Sequence, residues 1–346
     1  MKRSVMLTVL LALVLSLAGS VMAQDAAQPG KGVTVQPAVA TWSSAKPLEA
    51  IFASLLGQLG YDVKAPKALS NPIFYQSVAQ GDVDFWANGW FPLHNAQLPA
   101  NFDQKGEILG TIVAHGAIQG YLVDKKSAEK YNITSLADFK RPEVRKAFDA
   151  NGDGKADLVG CPPGWGCHDV IAHHMEAYNL KSDINVISAG YAASFADALA
   201  RYQNGQPILY YTWTPNFTGY KLVPGKDVVW INVPSNAPTA SQKPFEKFMT
   251  QSGVKGAVTD PIKMGYVAND IRSVANKQFA DNNPAAKKLL EEVTIPLNDI
   301  SEMTNEINSG KDSDQQIKAM ADDWIQKHQS EVDQWLSAAR QAASGM

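Results

Sequence analysis

Two cysteines stand six residues apart in Cys161-Pro162-Pro163-Gly164-Trp165-Gly166-Cys167, and the chain has no others. Between them a tryptophan is held by two glycines. A short pinned loop of this kind fixes one indole and aims the N–H groups that follow it. A helix is expected to begin near Cys167, which puts the N–H groups of Gly166 and Cys167 at its N-terminus. Unpaired N–H groups and the helix dipole both favour an anion there. The spacing is wrong for a thiol oxidoreductase, which uses Cys-x-x-Cys.

Two more aromatic clusters have similar surroundings. Trp86-Ala87-Asn88-Gly89-Trp90-Phe91-Pro92-Leu93-His94 follows a predicted strand at Val83 to Trp86 and places Trp90 at a turn. Tyr210-Tyr211-Thr212-Trp213-Thr214-Pro215 ends the strand-like run Pro207 to Trp213. Both lie at the carboxyl end of a strand, where open α/β sheets bind ligands. Taken alone, Trp90 and His94 are each more often structural than functional.

The elements that must position these clusters alternate. Val33-Thr34-Val35 opens a strand. Leu48, Ile51, Phe52, Leu55, Leu56 and Leu59 recur at helical spacing before Gly60, and Tyr61-Asp62-Val63 is the next strand. This βαβ opening favours an α/β sheet. Further strands are expected at Ile112 to Val123 and Val228 to Val233. Further helices are expected at Phe74 to Gln80, Ser135 to Phe148 (broken near Pro142), Val170 to Tyr178 and Ala192 to Tyr202. The C-terminal part reads as helical, with Trp324 and Trp335 on an apolar stripe that marks them as core. The alternation predicts two α/β lobes with a ligand cleft between them.

The quoted motifs, in this order, resemble the ProX family of periplasmic glycine betaine- and proline betaine-binding proteins, which serve ProU-type ABC importers. The similarity continues through Asn151-Gly152-Asp153-Gly154-Lys155-Ala156-Asp157, Pro224-Gly225-Lys226-Asp227-Val228-Val229-Trp230 and Asn283-Pro284-Ala285-Ala286, and so spans nearly the whole mature chain. The resemblance implies the two-lobed, type II-like periplasmic substrate-binding fold. Residues 24–120 plus 265–346 would form one lobe and residues 121–264 the other. It implies a cage of Trp90, Trp165 and Trp213 around a quaternary ammonium, with the betaine carboxylate held by His94 and by the N–H groups of Gly166 and Cys167. A trimethylammonium has no N–H to donate, so aromatic faces must hold it, at roughly 0.5–2 kcal/mol each. Three walls and a clamped carboxylate suffice for roughly micromolar binding. Choline or carnitine are the alternative ligands. Choline would leave the anion site idle, and carnitine needs a longer cleft. Trp86 departs from the family pattern and is expected either to line the cleft or to be buried. The expected partner is the membrane permease of an ABC importer, and the expected role is osmoprotection by a non-enzymatic monomer.

Asp149-Ala150-Asn151-Gly152-Asp153-Gly154-Lys155-Ala156-Asp157 matches much of a calcium loop, but Gly160 stands where the bidentate Glu belongs. Asp149, Asn151, Asp153, Lys155 and Asp157 would carry a structural Ca²⁺; the alternative is an Asp/Gly-rich turn. No other cofactor is expected. His115, His168, His173, His174 and His328 lack metal spacing, and no nucleophile motif or phosphate loop stands out.

The chain has 346 residues, 45% hydrophobic and 19% charged, enough for two domains. Lys2 and Arg3, the apolar run Met6 to Leu17 and Ser20-Val21-Met22-Ala23 read as a signal peptide, residues 1–23. Without it, 29 basic residues face 34 acidic ones, a formal charge of −5, and nothing suggests nucleic acid. The signal contains no cysteine for a lipid anchor, so a periplasmic location is expected. An oxidising compartment makes Cys161–Cys167 a disulfide, worth ~2–3 kcal/mol by loop closure.

Overall fold

The computed structural model describes residues 28–345. The proposed signal peptide lies outside them. Two sheets divide the fold. In the first, the antiparallel strands Phe85–Phe91, Asn269–Asn276 and Gly106–Ala117 lie side by side, with Asn269–Asn276 in the middle. A bridge from Pro37 to Phe85 joins them to the parallel pair Ala38–Ala40 and Lys67–Leu69. The second sheet has five strands in the order Val228–Ile231, Gln119–Asp124, Leu209–Trp213, Ala156–Val159, Ile184–Ile187. The chain passes from the first sheet to the second at Ile118 and returns between Lys263 and Asn269. The run Ile112 to Val123, expected as one strand, is therefore two, each in a different sheet. The fold is a two-lobed α/β one.

The helices that build the first lobe follow the apolar periodicity. Ala45–Gln58 buries Leu48, Ile51, Phe52, Leu55 and Leu56 completely. It ends before Gly60, whose φ of 91° a side chain rarely adopts. The return crossing leads into C-terminal helices that pack back on this lobe. Asp314–Lys327 lies on Ala45–Gln58, and Pro284–Glu292 lies on Gln329–Ser344 and on the strand Gly106–Ala117. Trp324 is buried there, its indole N–H donating to Asp299 at 2.9 Å and its ring stacked on His328. Trp335 is half-buried and stacks on its far side. Trp324→Ala is expected to cost about 3–5 kcal/mol of stability and leave ligand affinity unchanged. Urea unfolding and calorimetric titration of the same variant check both halves.

The second lobe places its helices as the sequence reading expects, at Gly166–Ala177 and Tyr191–Gln203. Leu136–Lys140 is a short 3₁₀ turn that stops before Pro142, where Pro142–Phe148 begins.

The expected calcium loop closes on itself. Asp149 accepts the N–H groups of Gly152, Asp153 and Gly154, and Asp153 accepts that of Lys155. Asp157 accepts Ala150 N–H and the side-chain amides of Asn151 and Asn185. Among the described residues no three His, Cys, Asp or Glu side chains come together to hold a metal. Side-chain-to-backbone bonds hold the loop in shape.

Candidate functional site

The three aromatic clusters meet at one cavity between the lobes. It holds about 290 Å³ of atom-free space, open solvent at its mouth included. Its walls are Trp42, Trp90, Trp165, Trp213, Tyr211 and Leu93, with Asn71, His94, Gln119, Gly166 and Cys167 as its polar and backbone lining. All six residues expected at the site are there. The disulfide joins Cys161 to Cys167, with their Cα atoms 6.0 Å apart, and Cys167 reaches the lining directly.

Each tryptophan wall is set by a hydrogen bond at its N–H edge. Trp90 lies inside the strand Phe85–Phe91, opposite Ile271, and not at a turn as its neighbours Gly89 and Pro92 suggest. Gly89 fits the strand because the side chains of Phe91 and Val274 crowd the place a Cβ would take. Asn88 Oδ1 accepts the indole N–H of Trp90 at 2.7 Å and that of Trp42 at 3.0 Å. One amide oxygen thus fixes two walls of the first lobe. In the second lobe, Trp165 meets Trp42 edge to face at 5.4 Å and Trp213 at 5.5 Å. Tyr191 packs behind both at 6.1 and 4.7 Å. Adjacent rings stand nearly perpendicular and form the corners of an aromatic box.

The same indoles join the lobes. Trp165 Nε1 donates to Thr41 Oγ1 at 2.8 Å, and Trp213 Nε1 reaches Ser44 Oγ at 3.5 Å. The segment Thr41–Ser44 therefore contributes one wall and two hydroxyl acceptors. Gly166 faces the first lobe closely. A Cβ there would sit 2.9 Å from Leu93 Cγ and 3.3 Å from His94 Cδ2. Gly166 and Cys167 are the first two residues of the helix Gly166–Ala177, so their N–H groups have no intrahelical partner.

His94 lies in the short turn Leu93–Gln97 and is fully enclosed. Nδ1 accepts the Trp90 backbone N–H at 3.1 Å and meets the Tyr75 hydroxyl at 2.7 Å. A backbone N–H only donates, so the ring proton belongs on Nε2, which lies 2.9 Å from the NH2 nitrogen of Asn71. Asn71 Nδ2 is itself a donor, to Gln97 Oε1 at 2.8 Å, and cannot accept that proton, so the His94 Nε2 N–H finds no acceptor in Asn71 and is left for a ligand oxygen. Burial pushes its pKa down to about 3, so the ring is neutral and does not repel a cation beside it.

His174, in the second lobe, is likewise lowered to about 3, chiefly by burial, with the His173 charge adding to it. For both histidines the folded pKa lies below the unfolded value near 6.5. Their contribution is complete above about pH 6.5 and is lost as the pH falls toward 3, at up to about 1.4 kcal/mol per pH unit each. Buried Glu49, raised to about 7, works the other way and adds stability as the pH falls from about 7 toward 4.5, so His174→Gln should shift the urea midpoint at pH 5.5 upward relative to that at pH 7, compared with wild type.

Trp42, Asn71, Gln119 and Tyr211 were not singled out as site residues from sequence. Trp42 carried the same signal as Trp90 and Trp213, a large aromatic just past a strand. Trp86 is fully buried, between Phe74 at 4.0 Å and Trp42 at 5.7 Å, and backs the cavity without lining it.

Comparison with known proteins gives these observations a family. Residues 33–327 match the model of the substrate-binding domain of ABC-type glycine betaine transport systems. The chain is 42% identical to the glycine betaine-binding periplasmic protein OusX of Dickeya dadantii over 91% of its own length and 92% of that protein's. It is 41% identical to the glycine betaine/proline betaine-binding periplasmic protein of Salmonella typhimurium, over 90% and 91%. Among solved structures, lactococcal OpuAC in its closed form with glycine betaine superposes with a TM-score of 0.65 at 21% identity, covering 88% of this chain and 99% of that one. Length of match, family model and fold agree, and the chain belongs to the substrate-binding proteins of ABC-type glycine betaine transport systems.

Proposed function

We propose that this protein is a periplasmic receptor for glycine betaine, and for proline betaine, which it delivers to the membrane permease of an ABC importer as an osmoprotectant. The observation that carries the reading is one small cavity with tryptophan faces on both lobes and a helix N-terminus at its edge. The trimethylammonium group packs against Trp42, Trp90, Trp165 and Trp213. Each face contributes roughly 0.5–2 kcal/mol through its ring quadrupole, more where water is excluded. The carboxylate lies at the N–H groups of Gly166 and Cys167, close to Asn71 and His94. Ligand touches both lobes at once, so it favours the closed state over the open one, and the closed state is the form a permease recognises. The protein acts as a monomer in the periplasm. Among the described residues no helix is long and apolar enough to cross a membrane.

The test is calorimetric titration of the refolded, ligand-free mature protein with glycine betaine and then choline. Binding of betaine with little or none of choline is expected. Equal binding of choline would remove the carboxylate clamp and make the protein a choline receptor. Binding of neither would leave the family membership and overturn the ligand.

A further inference from the structure

Granting the receptor function proposed above, we infer that Gln119 is a ligand-binding residue whose Nε2 donates to the carboxylate and so selects betaines from other quaternary ammonium compounds. Gln119 is the first residue after the chain crosses into the second lobe, paired in register with Trp213. It is 2% exposed and lines the aromatic cavity. Its Oε1 accepts the Tyr211 hydroxyl at 2.5 Å, and its Nε2 is buried with no partner in the protein.

The orientation of this amide is set by its neighbour. With Oε1 toward Tyr211, the phenol donates and only Nε2 is left over. Turning the amide round would leave Oε1 and the phenol hydrogen both without partners. The free group is therefore a donor, and a buried amide donor without an acceptor is costly. The ligand supplies what the protein does not. A trimethylammonium group has neither N–H nor lone pair, so the acceptors on glycine betaine are its carboxylate oxygens. Choline offers a neutral hydroxyl, and a hydrogen bond to a charged acceptor is roughly twice as strong as one to a neutral one. Gln119 thus adds a side-chain donor from the second lobe to the backbone donors of Gly166 and Cys167.

The experiment is betaine titration of wild type, Gln119→Leu and Gln119→Glu, with the melting temperature of each ligand-free protein. Gln119→Leu keeps the bulk and loses the donor; betaine affinity should fall at least about tenfold. Gln119→Glu keeps an acceptor for Tyr211, so it guards against a folding defect. At about pH 8 its carboxylate should repel betaine, and affinity should recover as the pH is lowered and the new carboxyl gains a proton to donate. Wild type shows no such recovery. Gln119→Leu within twofold of wild type, or Gln119→Glu with the pH profile of wild type, would overturn the role while leaving the receptor function intact. Failure of wild type itself to bind betaine would overturn the receptor function first.

Discussion

Trp165→Ala should reduce glycine betaine affinity by about two orders of magnitude. Trp165 stands between two other tryptophan walls of the box. Its ring meets Trp42 and Trp213 edge to face and leans on Tyr191. Its indole N–H also bonds Thr41 across the cleft. Alanine removes a desolvated cation–π face, worth up to about 2 kcal/mol, and a hydrogen bond between lobes, worth about 1 kcal/mol. The sum of about 3 kcal/mol corresponds to roughly a hundredfold. Trp165→Phe separates the two parts, because it keeps a face and loses the N–H; it should fall between wild type and alanine. Calorimetric titration of both variants, with ligand-free melting temperatures alongside, provides the check. Alanine binding within threefold of wild type would remove Trp165 from the cage.

Gly166→Val should be at least as damaging, for a different reason. A Cβ at this position would lie 2.9 Å from Leu93 Cγ, and valine adds two methyl groups to it. The obstacle appears only when the lobes come together, since Leu93 belongs to the first lobe and Gly166 to the second. The open form should therefore tolerate the change, and ligand-free stability should move by less than about 1 kcal/mol. Betaine binding should fall by a hundredfold or more, because the closed state is blocked and the N–H at the carboxylate end is displaced. Gly166→Ala should show a smaller effect in the same direction. Tight binding by the valine variant would mean that the lobes need not approach as closely as the structure draws them.

Local signals in the sequence were enough to place most of the site. Trp90, Trp165 and Trp213 each lie within two residues of glycine or proline in a distinctive motif, and all three reach one cavity. The helix starting at Gly166 followed from the apolar spacing of Val170, Ile171, His174 and Met175. What escaped was information that lives in pairing between distant segments. Trp42 becomes a wall because Ala38–Ala40 is set beside Phe85 and because Asn88, 46 residues away, accepts its N–H. His94 is expected from sequence to hold a carboxylate; that Trp90 and Tyr75 occupy its Nδ1 and Asn71 stands beside its Nε2 is not visible there, since two of those three come from another helix. Trp90 was read at a turn since Gly89 and Pro92 break most strands. The strand survives because Asn269–Asn276, more than 170 residues later, pairs with it. In the loop Asp149 to Asp157 the same residue types that suggest a cation site also bond the loop's backbone N–H groups and the Asn185 amide.

The indole edges that join the lobes give the molecule a built-in optical reporter. Trp165 and Trp213 are buried and donate their N–H groups to Thr41 and Ser44, which belong to the other lobe. Parting the lobes would replace those partners with water and expose both rings, shifting their emission to longer wavelength. Trp324, remote in the C-terminal helices, would keep its environment and serve as an internal reference. Intrinsic fluorescence therefore reads the opening and closing of this receptor without any label, through the same side chains that line its cavity.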